Sequence, residues 1–187
     1  MFERKAPPGR PGEDLAHLTV TDARAGDVLS VPGAGSEFED VDFTVDRVDQ
    51  LESGSRRWLE LSGTWRNRRV YLEVHSDLSP EVLGSFDGRI ITLDELGLSE
   101  EDLAQLDSRQ NQSDFFDYNG KFWLYRSSRE VGIFRFPASL GQGFYCWTFQ
   151  EQDSKRFLSI RKFKGEPFAA SLWTRIEPAD ISVYRPT

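Results

Sequence analysis

Apolar and polar side chains alternate at period two through much of this chain, and the alternation predicts strands. Val41, Phe43 and Val45 are interleaved with Asp42, Thr44 and Asp46, as on a strand with one dry and one wet face. The pattern slips after Arg47, where Val48 and Leu51 take over, which predicts a bulge or a strand end. Residues 57–62 alternate again with Leu59 and Leu61 inward, and Val70, Leu72 and Val74 alternate with Tyr71, Glu73 and His75. These two segments pair as a hairpin with its tip at 63–69. Shorter strands are expected at 17–20, 26–31 and 88–93, the second stopped by the turn residues Pro32 and Gly33.

The densest aromatic stretch, 144–149, is followed after the polar loop 150–154 by a second apolar run at 155–160, and this predicts another hairpin. Asn119 and Gly120 both tolerate positive φ and predict a tight turn between 115–118 and 121–126. Further strands are expected at 130–136, ending at Pro137, then at 168–176 and 182–184, with a helical turn at 177–181. One helix stands out. Ser99 is a good N-cap, Asp102 follows three residues later, and Leu98 and Leu103 have staple spacing. Glu100, Glu101 and Asp102 suit the positive end of its dipole, and Leu103 and Leu106 form its inner face.

The fold class that follows is mainly β: antiparallel sheets as two packed β subdomains of sandwich or small-barrel type, with one short helix near 99–107. A Pro/Gly-rich flexible leader covers 1–14, a first subdomain 15–108 and a second 109–187, with the polar stretch 107–113 as the joint; the two can equally close up as one compact domain. The halves echo each other, Trp58 and its hairpin partner strand in the first against Trp147 and 156–160 in the second. Duplication and simple recurrence of β-hairpins both explain the echo.

Composition narrows the function classes. A chain of 187 residues can bury about 70% of its unfolded surface and needs no staples. A single cysteine, Cys146, excludes an intrachain disulfide framework, and His17 and His75 are too far apart for zinc-ligand spacing. No metal and no cofactor is therefore expected, and a reducing cytoplasm is the natural location, with a peripheral position at an inner membrane face as an extension. The N-terminus carries charge without an apolar stretch behind it, and no run approaches the roughly 18 apolar residues of a membrane span. Asn111 to Ser113 matches a glycosylation sequon by chance.

The net charge of -8 argues against general nucleic-acid binding. Its distribution says more than its sum. Residues 37–53 hold seven acids against Arg47 alone, 56–69 five arginines against Glu60 alone, 77–107 nine acids against Arg89, and 121–175 ten bases against four acids. Segments of opposite sign pair across neighbouring strands, or leave a basic face for a partner.

Candidate chemistry is thin. Cys146, mid-strand between Phe144 and Thr148 on its own face, reads as a packing cysteine. His75, Ser76 and Asp77 carry the residue types of a hydrolase triad, but neighbours in an extended segment face opposite ways. Glu37, Glu39, Asp40 and Asp42 lack the spacing and glycine of a calcium loop and read as a solvated rim. The strongest binding candidate is the tip at Trp65, Arg66, Arg68 and Arg69, where guanidinium and indole together suit an acidic protein partner, an anionic lipid surface or another polyanion. The competing reading has those arginines pairing with 37–53 and covering Trp65. Trp123, Tyr125 and Trp147 are candidates for a ligand cleft between the halves, and Phe168 and Trp173 read as sheet core.

Gly26, Asp27 and Val28, the strand at Phe43 to Val45, Trp58 with Leu61, Asn119 with Gly120, Trp147, Phe157 to Ile160, Gly165 with Glu166, and Ile176 to Ile181 together resemble the bacterial DUF4178 family of uncharacterised domains, over roughly residues 24–184. The resemblance implies a cytoplasmic accessory protein linked to PspA-type envelope stress, without an established activity or catalytic residues. The expected function is thus a non-enzymatic protein-interaction module. A small-ligand-binding β domain is the alternative, and a hydrolase using His75 the minority reading.

Overall fold

Every strand pairing in the molecule is antiparallel, and the two longest strands explain how the sheet closes. The computed structural model describes residues 17–76, 79–135 and 141–186; the expected leader at 1–14 and the strand end at Phe136 and Pro137 lie outside them. The strands are β1 (Val28–Val31), β2 (Val41–Ser53), β3 (Arg56–Trp65), β4 (Arg68–His75), β5 (Glu81–Ser85), β6 (Phe115–Tyr118), β7 (Lys121–Arg135), β8 (Gln142–Glu151), β9 (Arg156–Phe163), β10 (Ala169–Ile176) and β11 (Ser182–Tyr184). Eight of them, in the order β2-β3-β4-β5-β10-β9-β8-β7, close into a barrel when β7 pairs back onto β2. Closure pairs the backbone groups that an open sheet would leave along its edges.

The seams lie between the halves of the chain. Gly84 of β5 opposes Thr174 of β10, and Asp49 to Glu52 of β2 oppose Arg135 to Gly132 of β7. Each half supplies four barrel strands, so of the two expected forms, sandwich and small barrel, it is a barrel that forms, and the two halves share it. β2 and β7 outrun the barrel, and their first residues pair outside it with β1 and β6. Both long strands are bulged at the crossover, at Val45/Arg47 and at Tyr125/Ser127. A bulge or strand end is expected after Arg47; the bulge lies just before it, between Val45 and Arg47, and turns the strand from flanking sheet into barrel rather than ending it. Counted from the bulges, Leu51 matches Val131, and their partners Trp58 and Phe144 match each other. The halves repeat in topology, but Trp58 corresponds to Phe144 and not to Trp147.

Two larger apolar cores lie outside the barrel wall, while Leu51, Trp58, Val131, Ile133, Phe144 and Cys146 form a smaller one inside it. Val45, Leu61, Val70, Leu72, Val74 and Val82 form one core with Leu29, Val31, Ile181 and Val183 of the β1–β11 flap. Trp147, Phe149, Leu158, Ile160 and Ala170 form a second core beneath α1 (Leu93–Leu96) and α2 (Glu100–Arg109), from Leu96, Leu103 and Leu106. Burying side chains of this size is worth about 1.5–3 kcal/mol each, so the coverings carry much of the stability. Leu59 and Leu61, expected inward, thus face a core outside the barrel wall, and the polar face of their strand lines the lumen.

The helix at 99–107 is present with its capping box: Ser99 Oγ accepts from the Asp102 N–H at 3.1 Å, and the Asp102 carboxylate accepts from the Ser99 N–H at 2.8 Å. It is pinned to the barrel by Trp147 Nε1 donating to the Leu103 carbonyl at 3.3 Å and by the Tyr145 hydroxyl donating to Asp107 at 2.7 Å. Two expected strands are absent. Residues 88–93 keep only a bridge from Ile91 to Ala170 before Thr92 caps α1, and at 17–20 Thr19 instead starts a 3-10 turn at Val20–Asp22. Near the chain's end, Arg185 makes a two-pronged bond to the enclosed Asp27 carboxylate, at 2.9 and 2.8 Å, tying the β11 end to the β1 entry.

Candidate functional site

The lumen receives every second side chain of the eight barrel strands, and those side chains are mixed, with charged and polar groups beside Leu51, Leu83, Val131, Ile133 and Phe144. At one end are Arg56, Trp58, His75, Glu81, Arg129 and Phe157. At the other are Arg47, Arg69, Tyr71, Ser85, Arg135 and Phe163. An eight-stranded barrel is just wide enough to be filled by side chains or to hold one small ligand. Here it does some of each: a cavity of about 170 Å³ opens at the first end and one of about 390 Å³ at the second, with Arg161 and Trp173 in the walls of both.

Arg161 is the partition. One of its terminal nitrogens donates to Glu60 Oε2 at 2.8 Å and to Glu73 Oε1 at 2.6 Å, and both carboxylates are enclosed. Its guanidinium lies over the rings of Phe144 and Trp173, at 5.2 and 5.4 Å. Burial by itself would lower the Arg161 pKa, but Glu60 and Glu73 more than reverse that and raise it. Burial likewise works against the charged form of Glu73, yet the His75 contact at 3.5 Å and the field of Arg161 hold its carboxyl below the usual range. Arg161 and Glu73 are thus held in their ionised forms by these contacts. Beside it, burial pushes the Cys146 thiol up, so Cys146 is a poor nucleophile as well as an enclosed one.

The two ends differ in how their cations are matched. At the wider end each arginine has a carboxylate: Arg69 grips Asp46 with both prongs at 2.6 and 2.7 Å, Arg89 meets Glu95 at 2.9 Å, and Arg47 and Arg135 share the enclosed Asp49 at 2.9 and 4.0 Å. The Arg47 contact is close but badly aligned, so Asp49 has charges beside it and no hydrogen bond to either oxygen. At the narrower end Glu81 is taken by Arg175 at 2.5 Å. Arg129, half-buried, lies over the Trp58 ring at 5.6 Å and has no carboxylate within ion-pair distance among the described residues. His75 stacks on the same indole, 5.2 Å away and 20° from parallel. Trp58 Nε1 and Arg161 Nε are enclosed N–H donors without an acceptor among the described residues. Leaving such a donor unpaired costs about 1–3 kcal/mol.

The residues singled out from sequence do not come together. Trp65 is only 8% exposed; its ring packs on the backbone at Gly35, where a Cβ would come within 2.8 Å of it. Arg66 stacks over Trp65 at 5.0 Å and pairs with Glu39 at 2.6 Å, and Arg69 turns to Asp46. The tip therefore presents Arg66 and Arg68 to solvent while its indole is enclosed, because the acidic segment 37–53 folds against it. Trp123, Tyr125 and Trp147 also stay apart from any cleft: all three sit on outward faces in the core under α1 and α2. Trp173 is enclosed, but in the lumen wall. Within the acidic group, Glu39 pairs with Arg66 and Asp40 accepts from the Gly33 N–H at 2.9 Å. Among the described residues no group of three or more His, Cys, Asp or Glu side chains could hold a metal ion.

The lumen set of Trp58, Glu60, Glu73, Arg129 and Arg161 was missed in the sequence. A signal existed for one of them: Glu60 is a charge set between Leu59 and Leu61, on the face opposite both, whereas Arg161 is followed by Lys162 and does not stand out. Their opposite signs are meaningful only once β3 and β9 are known to face each other across a barrel. Compared with family models, curated proteins and solved structures, this chain has no match.

Proposed function

We propose that this chain is a non-enzymatic ligand-binding barrel that takes a small molecule into its lumen. The observation that carries the reading is the pair of enclosed donors without acceptors, Trp58 Nε1 and Arg161 Nε, on side chains that line a cavity. A lumen used only for packing is better filled with apolar side chains, which carry no desolvation cost. Among the described residues, which leave out Asp77 of the hydrolase reading, no array supports nucleophilic chemistry: the Cys146 thiol is raised by burial, and His75 faces Glu73 and the Trp58 ring. An accessory role with a protein partner in a bacterial cytoplasm, which the DUF4178 resemblance implies, ranks second, since the arginine tip offers no exposed indole for it.

The test is a thermal-shift screen of small carboxylates, phosphates, amines and neutral aromatics, with the fluorescence of Trp58 and Trp173 as a second readout. A ligand present at about 100 times its Kd adds about 2.7 kcal/mol, which raises the Tm by about 5 °C or more in a chain of this size. Filling the lumen with Ser159→Phe and Ser171→Phe abolishes that rise. A screen in which nothing moves the Tm by more than about 1 °C or changes the fluorescence overturns the proposal.

A further inference from the structure

We infer that the narrower end of the lumen is a binding site for a small monocarboxylate with a compact apolar body, its carboxylate held by Arg129. The inference rests on the lumen being a ligand site and goes on to name the chemistry. The starting point is the charge balance around the cavity. Glu73 is shared by Arg161 and His75, and Glu81 is held by Arg175. Arg161 is itself spoken for by Glu60 and Glu73. What remains inside the mouth is Arg129, with the exposed Arg56 at the rim; neither has a carboxylate within ion-pair distance among the described residues. The Arg129 charge acts on Glu73 from beyond ion-pair distance, and a half-buried guanidinium with no carboxylate in contact favours an anion. With two carboxylates in the same wall, a single negative charge is matched and a doubly charged phosphate is penalised.

Geometry agrees with charge. Arg129 rests over the Trp58 ring, and a guanidinium held flat on an aromatic face keeps its N–H edge available for a two-pronged bond to a carboxylate. The cavity of about 170 Å³ has the volume of roughly six liquid waters, which suits an acid about the size of benzoate and excludes nucleotides and sugar phosphates. Leu83, Val131, Phe144 and Phe157 in its wall supply the apolar surface for the body of such an acid. At the wider end Arg47 and Arg135 divide one carboxylate, Asp49, but every guanidinium there lies within ion-pair distance of a carboxylate, a contact that Arg129 lacks among the described residues.

The experiment titrates the full chain with benzoate and with its neutral and cationic counterparts, benzamide and benzylamine, by calorimetry and tryptophan fluorescence. Benzoate is expected to bind saturably and at least tenfold more tightly than either counterpart. Arg129→Met is expected to weaken benzoate at least about tenfold, Arg129→Lys to weaken it less, and Arg135→Met at the far end to leave it unchanged; urea midpoints establish that each variant is folded. Benzamide or benzylamine binding as well as benzoate, or benzoate binding unaffected by Arg129→Met, overturns the carboxylate site while leaving the lumen a ligand site. Absence of binding by all three probes overturns it as well, and the broader screen then decides the fate of the lumen reading separately.

Discussion

Replacing Arg161 by Met removes the only cation that touches both Glu60 and Glu73 among the described residues, and the size of the effect follows from where those carboxylates lie. Glu60 is 2% exposed, and both bond the same guanidinium nitrogen, at 2.8 and 2.6 Å. Taking one member from an enclosed ion cluster leaves the rest uncompensated and costs about 3–5 kcal/mol, out of a total stability of about 5–15 kcal/mol. With a urea slope of about 2 kcal/mol per molar, the midpoint at pH 7 falls by about 1.5–2.5 M, followed by tryptophan fluorescence. The pH dependence has a definite sign. In the wild type, despite burial, the His75 contact and the field of Arg161 hold the folded Glu73 carboxyl below its ordinary value. The part of the loss that comes from Glu73 is therefore full above the unfolded value of about 4.3 and shrinks as pH falls through the lower folded one, so Arg161→Met differs from wild type less at about pH 3 than at pH 7. The companion triple variant Glu60→Leu, Glu73→Leu and Arg161→Met regains most of the loss, because no charge is left enclosed. A single variant whose midpoint at pH 7 lies within about 0.3 M of wild type would refute the enclosed ionic layer.

Three further outcomes are expected. Trp65→Ala costs about 3–5 kcal/mol by urea unfolding, while Arg66→Glu with Arg68→Glu stays within about 1 kcal/mol; the reverse order would mean that the indole is on the surface. Asp27→Asn breaks the two-pronged bond from Arg185 and costs about 1–3 kcal/mol at pH 7. Because the Arg185 bond holds the folded Asp27 pKa below its ordinary value, that difference is fully present above the unfolded value of about 3.9 and is lost as pH falls through the lower folded one. A difference between wild type and variant that instead grew on acidification would refute the pairing. Gly63→Ala places a Cβ 2.3 Å from the Thr44 carbonyl oxygen and 2.5 Å from Phe43 Cδ2, a clash with paired backbone, and lowers stability by about 1–3 kcal/mol in the same unfolding assay; an unchanged midpoint would show that β2 and β3 do not approach so closely there.

Local features were legible wherever the physics is local. The turn at Asn119 and Gly120 forms with both residues at positive φ, 55° and 68°, and the Ser99 box starts its helix because the side chain that satisfies the free N–H groups is three residues away in sequence. The error at 88–93 has a local cause too: an apolar run of that length serves a strand or a bridge equally, and the Thr92 cap competes for it. The candidate sites failed for a different reason. An aromatic residue announces burial without saying in which core, so Trp65, Trp123, Tyr125 and Trp147 are all enclosed, and none sits in the lumen.

By itself the sequence determined that the chain is a set of antiparallel strands with one dry and one wet face, where the hairpins turn, where β2 bulges, and that charges of opposite sign would meet. Those properties follow from period-two alternation, turn residues and composition, all of which act over a few positions. Only the tertiary structure decided which face became the inside. Pairing β7 onto β2 and β10 onto β5 rolled the sheet so that the face carrying the buried charges enclosed the lumen and the more apolar face turned outward beneath α1, α2 and the β1–β11 flap. Alternation is identical for either direction of rolling, so the choice rests on what is available to cover the apolar face. That is a property of segments far apart in the chain, and it is what brings Arg161 to Glu60 and leaves Arg129 with no carboxylate in ion-pair contact among the described residues.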